Sequence, residues 1–292
     1  MAITPTLRPD RPLDGTTTSL LREVDRIAKA LGIAYFVGGA TARIVILEHV
    51  FGAPPGRATR DVDIGICVAD WTLHDAFRQN LMATGRFDAT PRNAHKLIYR
   101  AGGAQAMQLD VIPFGNVEHP AASIAWPPDM DTVMNVAGFR EACQAAVAVE
   151  VDTDLLVPFA SLPAMAILKL LAWRDRHPMS RHDATDLLIL LSCYAGAGNE
   201  DRLYGEESEL MEQHGFDIEI AAAALLAKDS SAVASETARA QIWEVFGNSV
   251  RYQMLLDHMA FGDRFALRDG ESDPRRVRGR MDAFRSMFTP PA

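Results

Sequence analysis

The chain has 292 residues, 48% apolar and 23% charged, with a formal net charge of −9; it has room for one large domain or two modest ones. That composition is globular rather than disordered or fibrous, and the acidic balance excludes a protein gripping long nucleic acid with its whole surface. There is no membrane-length apolar run, no signal-peptide-like start and no zinc spacing among Cys67, Cys143 and Cys193, a pattern expected in the reducing cytoplasm.

Residues 1–15 hold three prolines and little periodicity, as expected of an arm or poorly ordered tail. Leu20, Leu21, Val24, Ile27, Ala28 and Leu31 recur at helical spacing, and Gly32 ends that helix. Ala34–Val37 reads as a short strand broken by Gly38-Gly39, and residues 40–50 as a helix. From Asp61 to Val68 the pattern alternates, with Val62, Ile64, Ile66 and Val68 on one face and Asp61, Asp63, Gly65 and Cys67 on the other. A helix is expected over 71–84, then paired strands at 97–99 and 107–113 around Gly102-Gly103. Residues 114–146 are irregular and proline-rich, with Trp126-Pro127-Pro128 as a rigid turn between lobes. A hairpin covers 147–157, and beyond Ser161, a candidate helix cap, the chain is mostly helical. The expected fold class is α+β: an arm (1–15), a mixed α/β lobe (16–115), a connecting segment with a hairpin (116–160) and a helical lobe (161–292).

Three features carry the chemistry. Gly38-Gly39 lies between a strand and a helix, where small residues admit a ligand to the backbone and free N–H groups face a phosphate; alone, a double glycine is more often a plain turn. Asp61 and Asp63, entered through Arg57-x-Thr59-Arg60, share a strand face about 7 Å apart at the backbone. Their hard oxygens suit Mg²⁺, although a solvated pair answered by Arg57 and Arg60 fits that pattern equally well. Asp110 occupies the open face of a later strand. Were the two strands neighbours, three carboxylates would cluster, which is costly without a cation.

In order, Tyr35-Phe36-Val37-Gly38-Gly39 and Arg57-x-Thr59-x-Asp61-x-Asp63 resemble the opening of the DNA polymerase beta-like nucleotidyltransferase superfamily. Leu168-Lys169-Leu170-Leu171-Ala172-Trp173-Arg174-Asp175-Arg176 and Arg181-His182-Asp183-Ala184-Thr185-Asp186-Leu187 are similar to the last two motifs of its AbiEii/AbiGii group. That group includes mycobacterial tRNA nucleotidyltransferase toxins. It commonly carries a hydroxyl residue after the second glycine; here Ala40 stands there and Thr41 follows.

The resemblance implies a polymerase beta-like catalytic lobe, a mixed sheet with helices, followed by a mainly α-helical lobe. It implies transfer of a nucleoside monophosphate from an NTP, with Asp61, Asp63 and Asp110 holding Mg²⁺ or Mn²⁺. Gly38, Gly39, Thr41, Arg57 and Lys169 would serve the nucleotide, with Asp183 and Asp186 in the cleft. Read on its own, Lys169 is the one charge in the apolar run 162–173 and either snorkels or meets a triphosphate; Asp183 sits where it could cap the following helix. The expected partners are an RNA acceptor, tRNA above all, and an antitoxin protein. The rivals are a small-molecule nucleotidyltransferase of aminoglycoside-modifying type and a silent nucleotide- or partner-binding module. His49, His74 and His95 are expected at the surface or in packing. Arg275, Arg276, Arg278 and Arg280 form a late basic cluster, a solvated helix face or an RNA contact.

Overall fold

The computed structural model describes residues 4–54, 56, 59–90, 95–100, 106–261 and 273–289. The chain divides into two compact units, residues 1–52 with 58–161, and residues 53–57 with 162–292.

The first unit is built on a seven-stranded mixed sheet. Helix α1 (Gly15–Leu31) opens it, its N-cap Asp14 accepting from the Thr16 and Thr17 amides and its C-cap Gly32 in the left-handed conformation at φ +65°. The strands are β1 (Ala34–Gly38), β2 (Asp61–Val68), β3 (Phe87–Ala89), β4 (Lys96–Tyr99), β5 (Met107–Gly115), β8 (Val147–Asp152) and β9 (Leu155–Phe159), in the order β3-β4-β5-β2-β1-β9-β8. Strands β6 (Ser123–Ala125) and β7 (Val133–Asn135) form a separate hairpin. Helices α2 (Gly39–Ile44), continued by a π-helical stretch over Val45–Val50, α3 (Trp71–Ala83) and α4 (Phe139–Gln144) complete the unit.

Burial fixes which face of each central strand points where. Val62, Ile64, Leu109 and Val111 are at most 1% exposed. On their side Tyr35 bonds Asp25 of α1 and Thr17 of α1 reaches Met107. The other face carries Asp61 and Asp63. It is closed toward Gly65 by the Phe36 ring, which packs against Phe114 and Phe139 with centroids 6.1 and 5.7 Å away. Gly65 is required there, because a Cβ would collide with the Phe36 ring.

Two sequence expectations change. The segment expected to connect the lobes belongs to the first unit: β8 and β9 join the main sheet, β9 lying parallel to β1. Accordingly Trp126 is no turn between lobes; it is buried within this unit, against Trp71, His74 and His95. The N-terminal arm is pinned rather than loose. The Glu150 amide donates to Pro5 and the Leu7 amide to Glu150, satisfying backbone groups that edge strand β8 leaves open, and the Arg8 amide donates to His49 of the π-helical stretch. The Gly102-Gly103 turn lies outside the described residues.

The second unit is helical: α5 (Leu162–Arg176), α6 (His182–Cys193), α7 (Glu200–Tyr204), α8 (Ser208–Gln213), α9 (Ile218–Val233), α10 (Glu236–Phe246), α11 (Ser249–Ala260) and α12 (Pro274–Ser286), with a π-helical stretch over Ala195–Asn199. Its core is α9, whose residues 221–227 are all buried, and small Gly279 of α12 lies against Ile220. Among the described residues no helix is long and apolar enough to cross a membrane.

Gly65→Ala should lower unfolding free energy by about 1–3 kcal/mol through overpacking against Phe36. Urea denaturation measures it, and an unchanged midpoint contradicts this account of the Phe36 side of the sheet.

Candidate active site

Strands β2 and β5 run parallel and adjacent, with Asp61 opposite Gln108 and Asp63 opposite Asp110. Paired residues project to the same face, and neighbouring strands lie about 4.8 Å apart. The three carboxylates therefore share one patch of sheet, as the alternation of each strand had suggested separately. Each also has a local partner. Asp61 Oδ1 accepts a hydrogen bond from the Thr59 hydroxyl. Asp110 Oδ1 accepts from Gln108 Nε2 at 2.9 Å, and its Oδ2 lies 3.7 Å from Lys96 Nζ on β4.

Asp63 rests against the backbone of Gly39. That glycine has φ +62°, and a Cβ on it would collide with the Asp63 carboxylate. The double glycine thus has a specific physical role: its second member makes room for a carboxylate beside the start of α2. Thr41, expected to face phosphate, instead donates its hydroxyl to the Asp61 carbonyl at 2.7 Å and is buried. The hydroxyl ties α2 to the first residue of β2, because the short helix crosses the end of that strand. Arg57 lies outside the described residues.

Burial pushes the Asp110 carboxyl above its ordinary pKa and Asp61 adds to the push; Lys96, His95 and Gln108 oppose it without prevailing. Lys96 was missed in the sequence. The available signal was its place, two residues before Ile98, on the open face of a strand.

The donor set fits a divalent cation in chemistry: hard carboxylate oxygens gathered on one face of the sheet. Among the described residues, no three acidic, histidine or cysteine side chains are drawn tightly around one point.

The histidines have packing roles. His74 is buried, with burial lowering its pKa to about 4. His95 packs on Trp126, and His49 Nδ1 lies 2.7 Å from the Arg11 carbonyl.

The second unit gathers the downstream motif residues into an ion cluster. Lys169 Nζ lies 3.2 Å from Asp183 and 2.6 Å from Asp186, and Arg176 donates to both oxygens of Asp183 at 2.7 and 2.9 Å. Asp183 is not a helix cap: α6 is capped by Arg181 without a side-chain bond, and Asp183 sits in its first turn, turned toward α5. Burial alone would raise the Asp183 pKa, but Arg176 and Lys169 outweigh it and hold the carboxyl below its ordinary value. Lys169 does not snorkel to solvent; its side chain is 12% exposed.

The late arginines are largely committed. Arg276 and Arg280 both pair with Glu219, and Arg278 bonds Gln253. Arg280 is buried, a cross-link between α12 and α9 rather than an exposed basic face.

Over residues 24–290 the chain matches the model of the nucleotidyl transferase AbiEii toxin family, of type IV toxin–antitoxin systems, and it belongs to that family of nucleotidyltransferases. No curated protein sequence matches it. Solved structures similar to it include an antigenic nucleotidyltransferase-like protein from Paracoccidioides brasiliensis, at 15% identity and TM-score 0.42, covering 70% of this chain and 94% of that one. The antibiotic-resistance factor ANT(2″)-Ia is similar at 15% identity and TM-score 0.39, over 70% of this chain and 98% of that one. The Thermotoga maritima CCA-adding enzyme complexed with tRNA is similar at 9% identity and TM-score 0.26, over 96% and 80%.

Because its folded-state pKa is raised, ionised Asp110 opposes folding at neutral pH, and that cost disappears as pH falls through the raised value. Asp110→Asn should therefore raise the melting temperature at pH 7 in metal-free buffer. The gain should vanish at pH near 4; a variant that melts lower than the parent at pH 7 contradicts the assignment.

Proposed function

We propose that the chain transfers a nucleoside monophosphate from an NTP to the 3′ end of an RNA, tRNA above all, and acts as the toxin of a toxin–antitoxin pair restrained by an antitoxin protein. The observation that carries the catalytic reading is the in-register placement of Asp63 beside Asp110, with Asp61 two residues away on the same face. In this reading Asp61, Asp63 and Asp110 hold Mg²⁺ or Mn²⁺. Bound there, the cation would stabilise charge on the attacking oxygen and on the departing pyrophosphate. The acceptor hydroxyl oxygen forms a bond to the α-phosphorus as the bond to pyrophosphate breaks. Asp110 either completes that metal site or, left outside it, takes the hydroxyl proton. Gly38 and Gly39 admit the phosphates to the backbone. Catalysis on this plan comes mainly from positioning and electrostatics.

The RNA acceptor is supported by the resemblance of the Lys169 to Asp186 segment to tRNA-modifying toxins. A small-molecule acceptor is a second reading, favoured by the pairing of Arg276 and Arg280 with Glu219, which removes most of the late basic cluster. Asp63→Ala should fold and lose roughly 10³-fold in turnover, the scale of deleting a charge-stabilising group. Sequencing tRNA 3′ ends after expressing parent and variant tests the acceptor: extended ends with the parent alone support it. Unextended ends in both, with purified protein consuming NTP only when a small molecule is supplied, transfer the proposal to that acceptor. Wild-type turnover in Asp63→Ala ends the metal-site reading.

We assign Lys169 to the triphosphate, with Asp183 and Asp186 orienting it. Its charge is already balanced by two carboxylates, which favours a purely structural role as the competitor. Lys169→Met leaves those carboxylates without their shared cation and should cost about 2–4 kcal/mol of stability in either case. Titration calorimetry separates the two: NTP affinity falls if Lys169 serves the triphosphate and is unchanged if the cluster is only a brace.

A further inference from the structure

In the second unit, the turn after α5 and the flank of α11 line an open pocket of about 350 Å³, formed by His177, Pro178, Met179, Ser180, Arg181, Met254 and His258. That volume lies at the small end of the range for small-molecule sites, roughly 300–1,000 Å³. The ion pair of Arg176 and Asp183 braces this turn from within; His177, Pro178, Met179 and Arg181 lie on the turn itself and Met254 and His258 on α11.

The hydrogen bonds behind the two imidazoles fix opposite tautomers. Buried Trp173 donates its indole N–H to His258 Nδ1 at 3.1 Å. Indole nitrogen only donates, so His258 accepts there and carries its proton on Nε2. Burial lowers the His258 pKa, with Arg181 and His177 adding to the effect, which keeps the ring neutral. The Nδ1 of His177 lies 3.1 Å from the carbonyl oxygens of both Trp173 and Arg174. Carbonyls only accept, so in the neutral ring the proton sits on Nδ1 and Nε2 keeps its lone pair. With the ring centroids 6.4 Å apart, one histidine offers a donor and the other an acceptor.

Around that pair stand apolar Pro178, Met179 and Met254, suited to the faces of a flat ring. Met179 is 84% exposed at the rim. Arg181 is the N-cap residue of α6, a helix of 12 residues, and the first amide of that helix, on His182, donates to the Ser180 hydroxyl at 3.2 Å. An exposed guanidinium at a helix N-terminus suits a phosphate.

We propose that this cavity is a nucleotide-binding site, in which the His177/His258 pair reads the adjacent donor and acceptor of a nucleobase edge and Arg181 takes the phosphate. The choice of ligand rests on the nucleotide-transfer reading; the site itself uses none of the residues assigned to transfer. The nucleotide is either free or the terminal unit of an RNA acceptor, since both present the same base and phosphate.

The test is titration calorimetry on the full-length Asp63→Ala protein in EDTA, so that the carboxylate site does not contribute. AMP should bind, and ribose 5-phosphate, which lacks the base, should bind at least roughly tenfold more weakly, as expected from losing two hydrogen bonds. His177→Phe and His258→Phe keep a flat ring and should each weaken AMP by roughly tenfold. Arg181→Met, at an exposed position, should weaken AMP but not adenosine, and it decides the matter if the histidine variants do not fold. Tighter binding of a short single-stranded oligoribonucleotide than of AMP assigns the site to the acceptor; the reverse assigns it to free nucleotide. Equal affinity for AMP and ribose 5-phosphate, no binding of either, or AMP binding indifferent to Arg181→Met overturns the proposal. Absence of NTP transfer by the parent protein would leave this binding result standing.

Discussion

The parallel pairing of β2 with β5 is the constraint on which the candidate active site depends. Two parallel neighbours cannot be joined by a tight turn, and here the chain passes through α3, β3 and β4 before β5 returns beside β2. Because side chains alternate with a period of two, slipping the register by one residue would turn Asp110 into the apolar layer and Leu109 out of it. Val62, Ile64, Leu109 and Val111 thus lock the register by their burial, and the carboxylates are carried into place on the opposite face. Hydrophobic burial on one side of the sheet assembles an acidic group on the other.

That assembly has an energetic cost which the protein does not remove. Asp110 stays above its ordinary pKa even with Lys96 and Gln108 beside it. The second unit treats charge differently. Lys169, Arg176, Asp183 and Asp186 are formally balanced, and Asp183 is held ionised by its cationic partners. Perturbation of the first kind is the one that a bound cation or a proton transfer relieves.

The cavity beside α6 shows a third use of polar groups. Its histidines are neither buried without function nor gathered around a metal; backbone and indole partners set which ring nitrogen carries the proton. Such orientation is a property of specific recognition, because a donor and an acceptor with fixed identities select ligands that a rotating hydroxyl would not.

The sequence by itself determined the family and many local elements, though not β3, nor α4 and the hairpin of β6 and β7 within the segment expected to be irregular. Helix α1 with its Gly32 stop, the bounds of β2, the alternation that sets Asp61 and Asp63 against Val62 and Ile64, and the ordered motifs through Asp186 all follow from period, cap and spacing, which are properties of neighbouring residues. Only the tertiary structure decided that Asp110 stands beside Asp63, that Lys96 joins them and that β8 and β9 extend the main sheet, since strand order is set by contacts between segments far apart in the chain. The same holds for charged side chains. Asp183 looked like a helix cap and Arg280 like a surface charge until α5 and α9 supplied Arg176 and Glu219 as partners. A long, flexible charged side chain takes whichever partner the fold brings within reach, and local sequence does not encode that partner.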